Sequence, residues 1–497
     1  MKNGLKFIAL LLCVVLLFSA CKKEENPQQT TESTTEEIMQ NVVVENSAPK
    51  GDGKITLPFN ESDGLNPFFV KSYENLYITQ MLFDSLFVAE SNYNIKNVIA
   101  KNISVNGNIA TVTLRSDTYC RGSNPINAND VVYSFNLAKA SYGWSGNLNG
   151  IASATVKSTY SVDFTLDYSD IYVAGKLTFP IVKEGTADIA TAVPTGSGEY
   201  YFSENKLINI ADSSKTISLY AISTRESAEN TFKIGTTDVF FSDLSDCNYS
   251  GVTGNVQDIV LSNMVYLGLN SDRGALTKHI RSAIVTKIDT EEIVISSYQG
   301  HGVAVKMPVS PKSTIKNELT EIASKGNTEL ANQILDRCGY IRYSGNAKTN
   351  GAYLLTFSLI VNNDNKFRVA AAYNIADSLK EIGFLIRVEV LSYNDYQERI
   401  SSGNYDMYIG EIKLDGTMDI SAFFTENGFV SAGINKNEKA ATEYFRYRAG
   451  EINAKEYYDI FIEEYPFVPL LFRTGYVVNS SDLTLELSEV PFSLYNF

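Results

Sequence analysis

The chain has 497 residues, 44% of them hydrophobic, which is enough for a body with more than one core. Its formal net charge of −15 excludes a nucleic-acid surface and adhesion to anionic lipid head groups, since both need basic protein. His279 and His301 are the only histidines. Two isolated imidazoles leave no His-rich metal site and weaken a serine or cysteine hydrolase, which needs a positioned base.

Lys2 and Lys6 give the chain a positive start, Leu5 to Phe18 is otherwise apolar, and Ser19, Ala20 and Cys21 close the run. Such a pattern, with an apolar core of roughly 10–14 residues, describes an export signal. A membrane-spanning helix would need about 20 apolar residues. Leu17-Phe18-Ser19-Ala20-Cys21 resembles a bacterial lipoprotein signal. That resemblance implies cleavage after residue 20 and diacylglycerol on Cys21; the alternative is an ordinary secretory signal with a chance cysteine. Residues 21–50 are rich in Lys, Glu, Gln, Thr, Asn and Ser, with little to bury, and are expected to form a disordered tether.

Past the tether, Lys54 to Phe59 predicts a strand. Pro67 keeps Asn66 extended, and Tyr77, Ile78, Met81, Leu82 and Leu86 form a helical stripe reaching Phe87. Ile103 to Val105, then Asn106-Gly107-Asn108, then the alternating Ile109 to Leu114 predict a hairpin. Asn127 can cap a helix whose first turn holds Asp130 and whose buried face carries Val131, Phe135 and Ala138. Outside the signal and anchor, Cys120, Cys247 and Cys338 are odd in number and have no paired spacing. Buried or singly exposed thiols are expected, a disulfide between two of them stays open, and no structural zinc site is visible.

The string from Leu114-Arg115 through Gly122 to Pro125 and on to Asp130-Val131-Val132-Tyr133-Ser134-Phe135 resembles the family 5 extracellular solute-binding proteins. These are the dipeptide-, oligopeptide- and nickel-binding receptors of ABC importers. Further matches follow in order: Leu65-Asn66-Pro67, Leu82 to Leu86, Gly196-Ser197-Gly198-Glu199-Tyr200, Gly235 to Val239, Tyr266 to Asn270, Ile280 to Ile284, and Val468-Pro469-Leu470. Together they span nearly all of residues 53–497.

In the second half, Tyr353 to Val361 predicts a strand, and Val369, Ala372, Tyr373, Ala376, Leu379 and Ile382 share a helix face. Gly383 stops that helix, and Phe384 to Leu391 is the next strand. The βαβ unit implies parallel strands. Tyr396, Ile400 and Gly403 mark a short helix and its end before the strand Tyr405 to Ile409. Ligands gather outside the carboxyl ends of such strands, so Gly410 to Asp419 is expected to face a cleft.

The resemblance implies site residues by position. Asp415 falls where the oligopeptide receptors carry the aspartate that pairs with a peptide's α-ammonium group; Glu411, Gly410 and Ile412 precede it in the same stretch. Tyr73, Tyr266, Ser242, Asp243, Phe472 and Arg473 fall at ligand-bordering positions. Trp144, the only tryptophan, suits a core role or a ligand role.

The expected architecture is a two-lobed α/β periplasmic-binding-protein-like fold. Lobe one would cover 51–264 with an inserted subdomain near 75–190, lobe two 265–466, and 467–497 would return to lobe one. The two crossings would form a hinge. The expected protein is a monomeric, extracytoplasmic lipoprotein, not an enzyme and without a cofactor. It would capture a small ligand, a peptide ahead of nickel, and pass it to importer permease subunits. Sensing without transport is the alternative, and a surface hydrolase a more distant one, because no nucleophile–base pair accompanies a glycine-rich elbow.

Overall fold

The computed structural model describes residues 54–247, 251–426, 428 and 430–480. The expected signal, Cys21 and the tether lie outside them. The first strand is Thr56–Asn60, parallel to Thr216–Ile222 in a four-stranded sheet completed by the hairpin Lys206–Asn209 and Tyr200–Ser203. Asn66 explains its motif: its buried amide donates to the Ala187 and Ile189 carbonyls at 3.0 Å and ties the chain start to a distant segment.

The helix that follows is Tyr73–Leu82, shorter than its apolar stripe predicts. Phe83 is extended, and Leu86 and Phe87 lead into a strand, Phe87–Ala89. Gly198 is the cause on the other side. Its amide donates to the Leu82 carbonyl at 3.1 Å, and a Cβ there would stand 2.4 Å from the Leu82 carbonyl carbon. The glycine-rich motif is therefore a close backbone approach to the helix end.

A four-stranded antiparallel sheet follows, in the order Ala100–Asn106, Ile109–Leu114, Ser161–Leu166, Ile151–Ser158. The predicted hairpin is present, with Asn106 opposite Ile109. Against it lies the helix Ala128–Ala140 with a full capping box: Asn127 Oδ1 accepts from the Asn129 amide, and Asp130 Oδ2 from the Asn127 amide, both at 2.9 Å. Val131, Phe135 and Ala138 are buried, as their spacing requires.

A seven-stranded sheet runs in the order Val239–Ser242, Phe467–Asn479, Asn255–Leu269, Met407–Lys413, Thr356–Asn362, Leu385–Leu391, with Gly302–Ala304 also on Phe467–Asn479. The βαβ expectation holds: Thr356–Asn362 and Leu385–Leu391 are parallel across the helix Lys366–Lys380. The helix phase differs from the expected one. Phe367, Ala371 and Ile375 point inward with Ala372, Ala376 and Leu379, while Tyr373 is exposed.

The long strands Asn255–Leu269 and Phe467–Asn479 pair antiparallel, with register shifts between Val260 and Met264 and between Val265 and Tyr266. Apolar side chains gather in two large cores. One draws on residues 57–219 with Val239, Phe241, Ile259 and Val477, the other on residues from Val260 to Phe472 with Tyr93 and Cys247. The paired strands are common to both. Cys120, Cys247 and Cys338 are free thiols, the first two buried. No helix among the described residues is long and apolar enough to cross a membrane.

Candidate functional site

Met407–Lys413 is longer than the sequence predicts, and this corrects the view of Gly410 to Asp419 as one cleft-facing loop. Gly410, Glu411, Ile412 and Lys413 are strand residues opposite Tyr266, Val265, Met264 and Asn263. The glycine does not end the strand because it serves packing: a Cβ on Gly410 would meet the Tyr266 hydroxyl oxygen at 2.5 Å. Tyr266 has 0% exposure, shares a 3.0 Å hydrogen bond with the Tyr408 hydroxyl and packs edge-on to Phe423. Phe472 is equally buried. Gly410, Tyr266 and Phe472 are buried in the core.

The loop proper is Leu414 to Asp419. Asp415 Oδ1 accepts from the Thr417 amide at 2.8 Å, the Thr417 hydroxyl at 2.7 Å and the Asp419 amide at 3.2 Å, which winds the loop around its own carboxylate. The loop presses on residues 168–176: a Cβ on Gly175 would lie 2.6 Å from Thr417 Cγ2.

At that seam five charges are buried together. Lys176 is 1% exposed and Arg448 is 0% exposed. The Lys176 ammonium donates to Asp419 Oδ2 and, at 2.7 Å, to the Asn149 carbonyl; it lies 3.8 Å from Asp170 and 3.9 Å from Asp415 Oδ2. Arg448 donates to Asp170 Oδ2 at 2.6 Å, to the Thr417 hydroxyl at 3.1 Å and to the Thr417 carbonyl at 3.3 Å. Tyr168 and Tyr444 donate to the two oxygens of Asp419 at 2.9 and 2.6 Å. Burial alone would raise Asp419, but Lys176 and Arg448 outweigh it and hold that carboxyl well below its ordinary value. For Asp415 the balance is reversed: burial raises it, with Lys176 opposing. Burial lowers Lys176 less than Asp419, Tyr168 and Asp415 raise it.

Asp415 also borders a cavity of about 300 Å³. Asp415 and Gly416 form one side; Gln80, Phe83, Asp84, Phe87, Trp144 and Asn147 are among the residues opposite. Trp144 takes a core position, since it is 3% exposed and donates from its indole to the Pro67 carbonyl at 3.0 Å, and it also lines the cavity. Among the described residues no lysine, arginine or histidine lines this space, and the ionisable groups that do are Asp84 and Asp415. Burial raises Asp84 above its ordinary value. A partly open, partly aromatic space with carboxylates and no cation among its described lining residues suits the positive end of an organic ligand.

Tyr73, Ser242 and Asp243 come together at a second cavity of about 210 Å³, with Lys71, Glu74 and Arg225. Burial and then Asp243 push the Tyr73 phenol up. Ser242 Oγ accepts from Arg225, and the Asp243 carbonyl accepts from Arg473. Arg473 also pairs with Glu411 at 2.7 Å, and Glu411 takes Arg368 at 3.2 Å and the Asn263 amide at 2.8 Å. Glu411 and Arg473 thus satisfy one another at the strand edge. Lys413 keeps accessible surface, yet desolvation brings its ammonium down to about 8 against the pull of Asp243.

Sequence reasoning missed Lys176, Asp170, Asp419 and Arg448. One signal was available: Lys176 is the only charge in the apolar run Val173 to Val182. Asp170 stands six residues earlier, while Asp415 and Asp419 lie more than 230 residues away and carry no local mark.

Asp419 gives a pH dependence with a definite sign. Its depressed pKa contributes stability that is complete above the unfolded value of 3.8 and is lost as pH falls below it. Asp415, raised, acts oppositely and favours the native state as pH falls toward 3.8. Urea denaturation of wild type and Asp419→Asn at pH 7 and about pH 3 should show the two converging at acid pH. An unchanged gap would mean that Asp419 does not titrate against Lys176.

Residues 88–432 match the family described as bacterial extracellular solute-binding proteins, family 5 Middle. The oligopeptide-binding protein AppA of Bacillus subtilis (strain 168) is 24% identical over 373 residues, covering 66% of this chain and 67% of AppA. Among solved structures, a nickel ABC transporter protein from Bacillus halodurans has a TM-score of 0.69 at 16% identity, over 88% of this chain and 98% of that one. The periplasmic murein tripeptide-binding protein MppA, in an unliganded open form, has a TM-score of 0.65 at 18% identity, over 88% and 95%. These likenesses give the chain the two-lobed α/β fold of the periplasmic solute-binding proteins. With the family match spanning most of its length, the chain belongs to the family 5 extracellular solute-binding proteins, the substrate-binding components of ABC importers.

Proposed function

We propose that this receptor captures a peptide between its lobes, holds the peptide's α-ammonium group at Asp415 and hands the peptide to importer permease subunits. It would work as a monomer anchored by lipid on Cys21 and would catalyse no reaction. Lobe one would comprise 51–264 and 467–497 with the subdomain near 75–190, and lobe two 265–466. The hinge would lie in the long paired strands near Met264 and Pro466, where the register shifts occur. Oligopeptide binding by the AppA relative supports the ligand class.

One observation carries the reading: Asp415 belongs both to the cavity wall and to the buried charge cluster. Its Oδ1 is taken by its own loop, while Oδ2 has the Lys176 ammonium at 3.9 Å, beyond hydrogen-bond distance. A second ammonium at Oδ2 would make a charge-assisted hydrogen bond in a largely dry site.

Asp415→Asn keeps an acceptor for Thr417 and removes only the charge. It should weaken a free peptide on the order of 30- to 1000-fold and leave the N-acetylated form of the same peptide unchanged in titration calorimetry. Equal losses for both forms would give Asp415 a structural role; no loss for either would move the anchor elsewhere. For the lipid, Cys21→Ser should shift the protein from the membrane and detergent fractions into the aqueous one. A wild-type chain found without lipid would refute the anchor.

A further inference from the structure

The buried cluster at the seam contains two cations, Lys176 and Arg448, and three carboxylates, Asp170, Asp415 and Asp419. When all are ionised, one negative charge is left over. Charges removed from water are stable only when balanced, so the surplus has to be met by a proton or by a further cation. The geometry says where. Asp419 is saturated by Lys176, Tyr168 and Tyr444, and Asp170 by Arg448 and the Tyr172 amide. Asp415 is the carboxylate that takes no hydrogen bond from either cation, and it is the member of the cluster that lines the cavity. Its raised pKa is what an unbalanced carboxylate shows.

We propose that Lys176, Arg448, Asp170 and Asp419 determine ligand specificity as a set, by leaving one uncompensated negative charge that Asp415 presents to the cavity. The site then selects a ligand end bearing one positive charge. The strength of that selection is set by the charge count of four residues outside the cavity wall, not by Asp415 alone. This rests on the peptide reading given above. At separations of about 8–12 Å and an effective dielectric of about 20, one charge more or less in the cluster changes the pull on an ammonium at Asp415 by about tenfold or more.

The test compares variants that change the count in opposite directions. Asp170→Asn and Asp419→Asn remove a negative charge at two different places, and Lys176→Met removes a positive one. For each, calorimetry gives the affinity of one binding peptide in its free and N-acetylated forms, and the ratio of the two is the readout. Wild type should prefer the free form. Asp170→Asn and Asp419→Asn should each cut that preference by about tenfold, mainly through weaker binding of the free peptide. Lys176→Met should raise the preference. Loss of folding lowers both affinities together and leaves the ratio alone, so circular dichroism and the ratio separate damage from charge. Movement of all three variants in one direction, or no movement in any, overturns the proposal. A wild-type protein without preference for the free form would instead refute the peptide reading beneath it.

Discussion

The buried ammonium of Lys176 is the constraint on which the seam between residues 168–176 and the loop after Met407–Lys413 depends. Taking an ammonium out of water costs several kcal/mol unless carboxylates with good geometry surround it. Here Asp419 pairs with it directly, while Asp170 and Asp415 stand at 3.8 and 3.9 Å. Each of those partners also shapes backbone. Asp415 winds the loop after Met407–Lys413, and Asp419 Oδ1 accepts from the Ser421 amide at 2.7 Å to start the next turn. The cation therefore holds a loop from one part of the chain against a segment from another. The Ile171 amide, donating to the Arg448 carbonyl at 2.9 Å, and the Tyr168–Phe445 ring contact at 4.9 Å complete the seam.

A seam built from charges differs from one built of apolar side chains in what it asks of motion. Opening it returns five ionised groups to water, where they are well solvated, so the cost of separation is small relative to the area involved. The paired strands Asn255–Leu269 and Phe467–Asn479 are continuous through both cores and would bend where their register is already irregular. A receptor that must close and release needs that combination: a seam that depends on balanced charge, and a ribbon that bends without losing its pairing. Because the surplus charge sits at Asp415, the ligand itself would complete the balance, which ties recognition to closure in one place.

Legibility in the sequence followed interaction range. The capping box of Asn127 and Asp130, the Asn106–Ile109 hairpin and the parallel βαβ unit depend on neighbours within a few residues or on periodicity, and each is present. The helix Lys366–Lys380 was legible in position but not in phase, because Tyr373 and Ala371 sit two residues apart on a helix rich in alanine. Gly410 read as a strand end because a glycine's packing role is invisible without Tyr266, over 140 residues earlier. Asp415 could be singled out by its place after a parallel strand and by family resemblance. Arg448 could not, since it meets Asp170 at a separation of 278 residues, and Lys176, marked only as a lone charge in an apolar run, meets Asp419 243 residues on.

The most direct measurement is a crystal structure of protein purified without unfolding, so that a ligand closed in the cleft stays bound. The account places a peptide α-nitrogen within about 3 Å of Asp415 Oδ2, with Lys176 still paired to Asp419 and Trp144 facing the same cavity. A ligand whose positive group lies away from Asp415, or a ligand with no positive group in that cavity, would contradict it.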